Sequence, residues 1–77
     1  MPLYNFCKKL GERIKIIRKK RKKTQKTLAG DSECDERSIQ RIESGVQATT
    51  LQTLEKIAQA LDIDIEMLIC VSDEPIN

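Results

Sequence analysis

Residues 24–45 read TQKTLAGDSECDERSIQRIESG and contain two short helical patterns on either side of a tight turn. Helices of about ten residues are marginal alone and need packing against the rest of a domain. In the second pattern, Ile39 and Ile42 set the direction of the core, and charged or polar residues occupy the opposite side. Such a pair predicts a helix-turn-helix unit that presents its second helix to a partner.

Apolar residues at helical spacing predict three further helices around this unit. The first covers residues 5–22, and its apolar stripe is formed by Phe6, Leu10, Ile14 and Ile17. The fourth carries an inward stripe of Leu51, Leu54, Ile57, Ala58 and Leu61, and a short fifth contains Ile65, Leu68 and Ile69. The predicted N-cap residues are Asn5, Thr24, Asp35, Thr50 and Asp64. With no strand pattern, the chain is predicted to be an all-α five-helix bundle.

The length of 77 residues allows one small domain, which we place at residues 1–71, followed by a flexible tail at 72–77. No secretory signal and no apolar run of bilayer length is present, so we expect a cytoplasmic protein without membrane contact. Cys7, Cys34 and Cys70 are widely spaced and no histidine accompanies them, which favours reduced thiols over a metal site. Paired catalytic carboxylates and phosphate-binding loops are also lacking. We therefore expect no enzyme activity, no cofactor and no small-molecule ligand.

The net charge of +2 conceals a strong asymmetry along the chain. Residues 1–26 contain eleven Lys/Arg and one acid, whereas residues 27–77 contain three Lys/Arg and eleven acids. The cations concentrate in one run, formed by Lys15, Arg18, Lys19, Lys20, Arg21, Lys22, Lys23 and Lys26. Such a run can be a solvated cluster that complements a helix dipole, or it can attract phosphates in a salt-dependent way. Its position beside the helix-turn-helix unit favours attraction to phosphates.

The outward side of the third helix carries side chains that can read DNA. They are Glu36, Arg37, Gln40, Arg41 and Ser44. Arginine pairs bidentately with guanine, glutamine pairs with adenine, and a glutamate accepts from the amino group of cytosine. Taken alone, this side is equally compatible with an ordinary solvated helix face.

Residues 10–69 resemble, without a gap, the helix-turn-helix domain of the phage Cro and lambda-type repressor family, also called the XRE family. The resemblance is carried by Thr-Gln, then Leu-Ala, then Ser-Ile-x-Arg-Ile-Glu-x-Gly, then Leu-x-x-Leu-x-x-Ile-Ala at fixed distances. The matching residues in the helix-turn-helix unit are Thr24, Gln25, Leu28, Ala29, Ser38, Ile39, Arg41, Ile42, Glu43 and Gly45. The last part of the pattern matches residues 51–61. The resemblance implies a lambda-repressor-like fold and a transcription regulator that binds double-stranded DNA.

The resemblance also implies roles for individual residues. The recognition helix, residues 35–44, would enter the major groove and read bases through Glu36, Arg37, Gln40 and Arg41. The residues assigned to the phosphate backbone are Thr24, Gln25, Lys26, Ser38, Thr49, Lys22 and Lys23. Arg18 and Glu43 lie on the shoulders of two apolar stripes, and the resemblance implies a partly buried ion pair between them.

Several residues depart from the family pattern. Lys22 and Lys23 replace a usual glycine and apolar residue before the second helix, and Ser32 and Glu33 replace an apolar residue and the glycine of the central turn. Asp62 stands where relatives often have glycine. A non-glycine residue in the left-handed region costs on the order of 1 kcal/mol. We expect these changes to leave the fold intact.

Two functions are compatible with the sequence. The first is a small dimeric regulator, of repressor or controller type, on a pseudo-palindromic site with half-sites about one helical turn apart. Its homodimer interface would use apolar residues of the last helix and the tail, namely Ile65, Met67, Leu68, Ile69 and Val71. The alternative is a protein-interaction module of antitoxin or anti-regulator type that uses the fourth and fifth helices.

Overall fold

The computed structural model describes residues 3–69 and contains five α-helices, with no strand in that part of the chain. The helices are α1 (Leu3–Lys20), α2 (Gln25–Asp31), α3 (Glu36–Glu43), α4 (Leu51–Ala60) and α5 (Ile65–Ile69). The predicted all-α, five-helix fold is confirmed. None of these helices has the length and hydropathy that a membrane span requires. The predicted tail at 72–77 lies outside the described residues, as do Cys70 and Val71.

The starts of the helices follow the predicted capping residues in part. The Thr24 hydroxyl accepts a hydrogen bond from the Thr27 backbone N–H at 3.0 Å, as predicted for the start of α2. Thr50 caps α4 in the same way. Asp35 occupies the N-cap position of α3, but its carboxylate accepts no capping hydrogen bond. The prediction of Asn5 as a cap is wrong, because α1 already begins at Leu3.

Helices α1 to α4 all end in the same backbone arrangement, known as a Schellman motif. At the central turn, the Glu33 N–H donates to the Gly30 carbonyl at 3.3 Å and the Cys34 N–H donates to the Ala29 carbonyl at 2.8 Å. The residue at the left-handed position has a φ of 59° in Lys22, 58° in Glu33, 78° in Gly45 and 59° in Asp62. Three of these four positions therefore carry a side chain where glycine would be unstrained.

Replacing Glu33 by glycine is expected to raise the free energy of unfolding by about 1 kcal/mol. Glycine removes the steric penalty of a Cβ in the left-handed region, and the gain exceeds the entropy that glycine adds to the unfolded chain. Urea unfolding measures the difference. Glu55→Gly, in the exposed interior of α4, is the matched control and is expected to lower stability by about 1 kcal/mol. Equal losses in the two variants would contradict this assignment.

The core is aliphatic, as the composition predicts. It consists of Leu10, Ile14, Leu28, Ala29, Ile39, Ile42, Leu54, Ile57, Ala58, Leu61 and Leu68. Leu51 is 67% exposed, so its predicted inward position is wrong; as the first residue of α4, it lies beyond the stripe that the helix buries. Ser32 is buried, and its hydroxyl donates to the Leu28 carbonyl at 2.6 Å. This hydrogen bond explains how a polar residue is accommodated there.

Two glycines let α1 approach the end of α3 closely. A Cβ on Gly11 would overlap the carbonyl oxygens of Ile42 and Glu43. A Cβ on Gly45 would lie 2.7 Å from the Cα of Lys8, and Gly45 also has a positive φ. The C-terminal turn of α3 therefore lies directly against the backbone of α1. This contact fixes the position of the end of α3 relative to α1.

Candidate nucleic-acid interface

The outward face of α3 is fully accessible. Its exposed residues are Glu36, Arg37, Gln40, Arg41 and Ser44, whereas Ile39 and Ile42 on the opposite face are buried. Neither the Arg37 nor the Arg41 guanidinium forms a hydrogen bond or an ion pair with any residue in 3–69. Because the two arginines lie one helical turn apart, both can reach the same groove of a duplex. The arrangement leaves their hydrogen-bond donors free for a partner.

A buried ion pair holds the far end of α3. Arg18 Nε lies 2.7 Å from Glu43 Oε2, and Arg18 Nη2 lies 3.1 Å from Glu43 Oε1. The two side chains are only 8% and 3% exposed. Arg18 Nη1 also donates to the Lys23 carbonyl at 2.8 Å. The pair therefore joins α1, the connection to α2 and the end of α3. Neither charge is buried without an opposite charge next to it.

The start of α2 is tied to the same pair. Gln25 is half-buried, and its Nε2 donates to Glu43 Oε1 at 3.0 Å. The family resemblance implies that Gln25 contacts a DNA phosphate. No pattern in the sequence predicts its bond to Glu43. Thr24 is exposed and uses its hydroxyl as the cap of α2, and Lys26 is exposed beside it. These three residues form the start of α2, and Gln25 connects that start to the end of α3.

The predicted phosphate-binding lysines differ in their surroundings. Lys22 and Lys26 are exposed, and neither ammonium has a partner in the described part of the chain. Lys23 Nζ, in contrast, donates to Asp31 Oδ2 at 2.8 Å and to the Ala60 carbonyl at 2.6 Å. Lys23 therefore connects the start of the helix-turn-helix unit to the end of α4, and its ammonium is already engaged within the fold.

Ser38 and Thr49 meet in one groove between the central turn and the loop that follows α3. The groove has a volume of about 340 Å³. The residues that line it include Ser38, Thr49, Thr50 and Thr53 and the acidic residues Glu33 and Asp35. The structure thus brings together two residues that the family resemblance assigned to phosphates, and two acidic residues line the same groove.

Two arginines have roles that sequence reasoning missed. The Arg13 guanidinium donates to the Met67 carbonyl in α5. The Arg21 guanidinium donates to the Asp62 carbonyl at 3.4 Å. Both partners are distant in sequence, and no local pattern signals either bond. These two cations, one in α1 and one directly after it, therefore bind backbone carbonyls of other parts of the fold.

Helix α5 offers less apolar surface than the sequence suggested. Leu68 is fully buried in the core, and Ile65 and Ile69 pack partly against it. Met67 is 49% exposed. Leu68 is therefore unavailable to a second subunit, because the domain needs it for its own core.

Comparison with known proteins places the chain among helix-turn-helix domains. The HTH_3 family model, described as helix-turn-helix, matches residues 14–68. The restriction-modification controller protein C.AhdI from Aeromonas hydrophila is 32% identical, with a TM-score of 0.80 over 80% of this chain and 94% of that one. The wild-type controller protein C.Esp1396I is 33% identical, with a TM-score of 0.76 over 84% of this chain and 88% of that one.

More distant structures share the fold. An HTH_3 family transcriptional regulator from Vibrio cholerae is 23% identical and has a TM-score of 0.84, and this chain covers 39% of its length. No protein with curated annotation matches the sequence. The family match covers well over half of the chain and includes the whole of α2, α3 and α4. The chain therefore belongs to the HTH_3 family of XRE-type helix-turn-helix transcription regulators.

Proposed function

We propose that this protein regulates transcription by binding a specific double-stranded DNA sequence through α3. The observation that carries the proposal is the face of α3, which is exposed and unpaired although the rest of the helix is buried and anchored. A helix of this size fits the major groove of B-form DNA, where each base pair presents a distinct hydrogen-bonding pattern. The placement of the protein in a family of transcription regulators supports the same conclusion.

We assign the base contacts to four residues of α3. They are Glu36, Arg37, Gln40 and Arg41. Arg37 and Arg41 each offer two parallel donors that match the O6 and N7 atoms of guanine, and Gln40 matches adenine. Glu36, in the first turn, accepts from the amino group of a cytosine. This set favours a half-site rich in G·C pairs.

The backbone contacts surround α3 and fix its position in the groove. We assign them to Thr24, Gln25, Lys26, Ser38, Thr49 and Lys22. Lys23 was also expected to bind phosphate, but it would first have to exchange its bonds to Asp31 and Ala60. Its contribution is therefore weaker than that of Lys22 or Lys26, and its larger role is to support the fold.

We further propose that the protein acts as a homodimer of repressor or controller type. Similarity to two restriction-modification controller proteins over most of both chains supports the controller role. Two copies related by a two-fold axis place two recognition helices in successive major grooves, about one helical turn apart. Within residues 65–69, Met67 is the most exposed apolar residue of the predicted interface. The other function considered, a protein-interaction module built on α4 and α5, leaves the exposed face of α3 unexplained.

Selection of duplexes from a random pool tests the proposal. We expect enrichment of a palindromic consensus with a fixed half-site spacing. On the selected duplex, Arg37→Ala is expected to weaken binding about tenfold, because one bidentate base contact is lost. Lys56→Ala, which removes a cation from α4, is the matched control and should leave specific binding unchanged. Failure to enrich any sequence, with wild-type protein that is folded, would refute DNA recognition by α3.

A further inference from the structure

The buried carboxylate of Glu43 has a second partner besides Arg18. Its Oε1 accepts from Arg18 Nη2 at 3.1 Å and from Gln25 Nε2 at 3.0 Å, and its Oε2 accepts from Arg18 Nε at 2.7 Å. Arg18 holds the carboxylate at two points, so the position of Oε1 is fixed independently of Gln25. The carboxylate is therefore a rigid acceptor for the Gln25 amide.

The bond to Glu43 restricts what the Gln25 side chain can do. A glutamine amide is planar and carries two N–H donors and one carbonyl acceptor. With one N–H bound to Glu43, the amide nitrogen is held in place, and the directions open to the second N–H and the carbonyl are restricted. These two groups have no partner among residues 3–69. Because Gln25 is half-exposed, they remain accessible at the edge of the unit.

The ion pair also makes Glu43 compatible with a nearby phosphate. An isolated carboxylate beneath Gln25 would repel the negatively charged backbone of DNA. Arg18 places an opposite charge 2.7 Å from this carboxylate, so the pair as a whole is neutral. A phosphate that approaches Gln25 thus meets an oriented amide donor with little repulsion behind it.

We propose that Glu43 is a positioning residue that holds the Gln25 amide ready to donate to a DNA phosphate. The inference rests on the proposed function, because the phosphate belongs to the DNA that α3 reads. A glutamine that is already ordered loses less side-chain freedom on binding than a free one, and this preorganisation increases affinity. The competing explanation is that Gln25 only covers the ion pair and that any contact with DNA is independent of Glu43.

A comparison of Gln25→Ala in two backgrounds separates these explanations. The first background is the wild-type chain. The second carries Arg18→Met together with Glu43→Met, since a buried ion pair can often be replaced by apolar residues of similar volume without loss of the fold. The second background also keeps the net charge, so the general attraction to phosphates is unchanged. Dissociation constants are measured for the duplex selected from the random pool at one salt concentration.

We expect Gln25→Ala to weaken binding about tenfold in the wild-type background and only about twofold in the methionine background. The methionine background alone should weaken binding about fivefold, because its Gln25 is free to adopt several rotamers. Gln59→Ala, an exposed glutamine of α4, is the control and should have no effect in either background. Equal losses from Gln25→Ala in both backgrounds would overturn the positioning role.

A spectroscopic measurement on the wild-type chain tests the same point without any variant. Nuclear magnetic resonance should show two distinct side-chain amide protons for Gln25, one of them protected from exchange by its bond to Glu43. On addition of the duplex, the other proton should shift. Two protons that exchange equally fast would refute the fixed amide.

The outcomes also separate this inference from the proposed function. If Gln25→Ala has no effect while Arg37→Ala weakens binding, the phosphate contact of Gln25 is refuted and recognition by α3 remains. If both variants bind as the wild type does, recognition by α3 is itself refuted.

Discussion

Replacing Glu43 by alanine is expected to lower the free energy of unfolding by about 3–5 kcal/mol. The change leaves the Arg18 guanidinium buried without its opposite charge, and it removes the acceptor of the Gln25 amide. Breaking a buried pair in this way is far more costly than removing an exposed charge. A domain of this size has a total stability on the order of 4–12 kcal/mol, so the variant would be close to its unfolding threshold at room temperature.

Urea unfolding, followed by circular dichroism, measures the effect. Glu55→Ala, an exposed acid of α4, is the control and should change stability by no more than about 0.5 kcal/mol. The double substitution Arg18→Met and Glu43→Met should recover most of the loss, because no unpaired charge remains. If Glu43→Ala lost DNA binding at an unchanged unfolding midpoint, the structural role of the pair would be contradicted.

Gly11→Ala is expected to cost about 3 kcal/mol, although alanine is the better helix former. The added Cβ would overlap the Ile42 and Glu43 carbonyl oxygens, and these belong to backbone that cannot move aside as a flexible side chain would. Relief requires α1 to separate from α3, which breaks the packing of the recognition helix. The variant should therefore lose DNA affinity as well as stability.

Gly30→Ala provides the matched control for this substitution. Gly30 lies within α2, and apart from its two chain neighbours and the helix's own backbone no atom lies within 4 Å of the place where its Cβ would be. The same replacement there should stabilise the protein by about 0.5–1 kcal/mol, since only the helix propensity changes. If both variants gained stability, the close approach of α1 and α3 would not exist in solution.

Features set by short segments could be predicted from the sequence. The helix count, the Thr24 and Thr50 caps and the inward direction of Ile39 and Ile42 all depend on residues within a few positions of one another. The exposed face of α3 followed from the same reasoning, because the buried isoleucines define its opposite side. Local patterning of this kind is the strongest signal that a single sequence carries.

Most contacts between distant residues have no signal in the sequence, and the Arg18–Glu43 pair was expected only through the family resemblance. The bonds of Lys23 to Asp31 and Ala60 appear only when α4 ends beside the α1–α2 connection, so the sequence assigned this lysine to phosphate. The need for glycine at position 11 arises from the backbone of Ile42 and Glu43, which lie more than thirty positions away in the chain. Leu68 was assigned to a subunit interface because periodicity cannot distinguish the core of one domain from a contact between two.

The four identical helix ends have a consequence for recognising relatives of this protein. Backbone hydrogen bonds close each helix in the same way whether the left-handed residue is lysine, glutamate, glycine or aspartate. At positions 22, 33 and 62 the side chain can therefore drift during evolution while the architecture persists, whereas position 45 is restricted to glycine by its contact with the Lys8 backbone. A motif search that insists on glycine at every such corner would overlook chains like this one, whereas a search based on the spacing of buried aliphatic residues would still detect them.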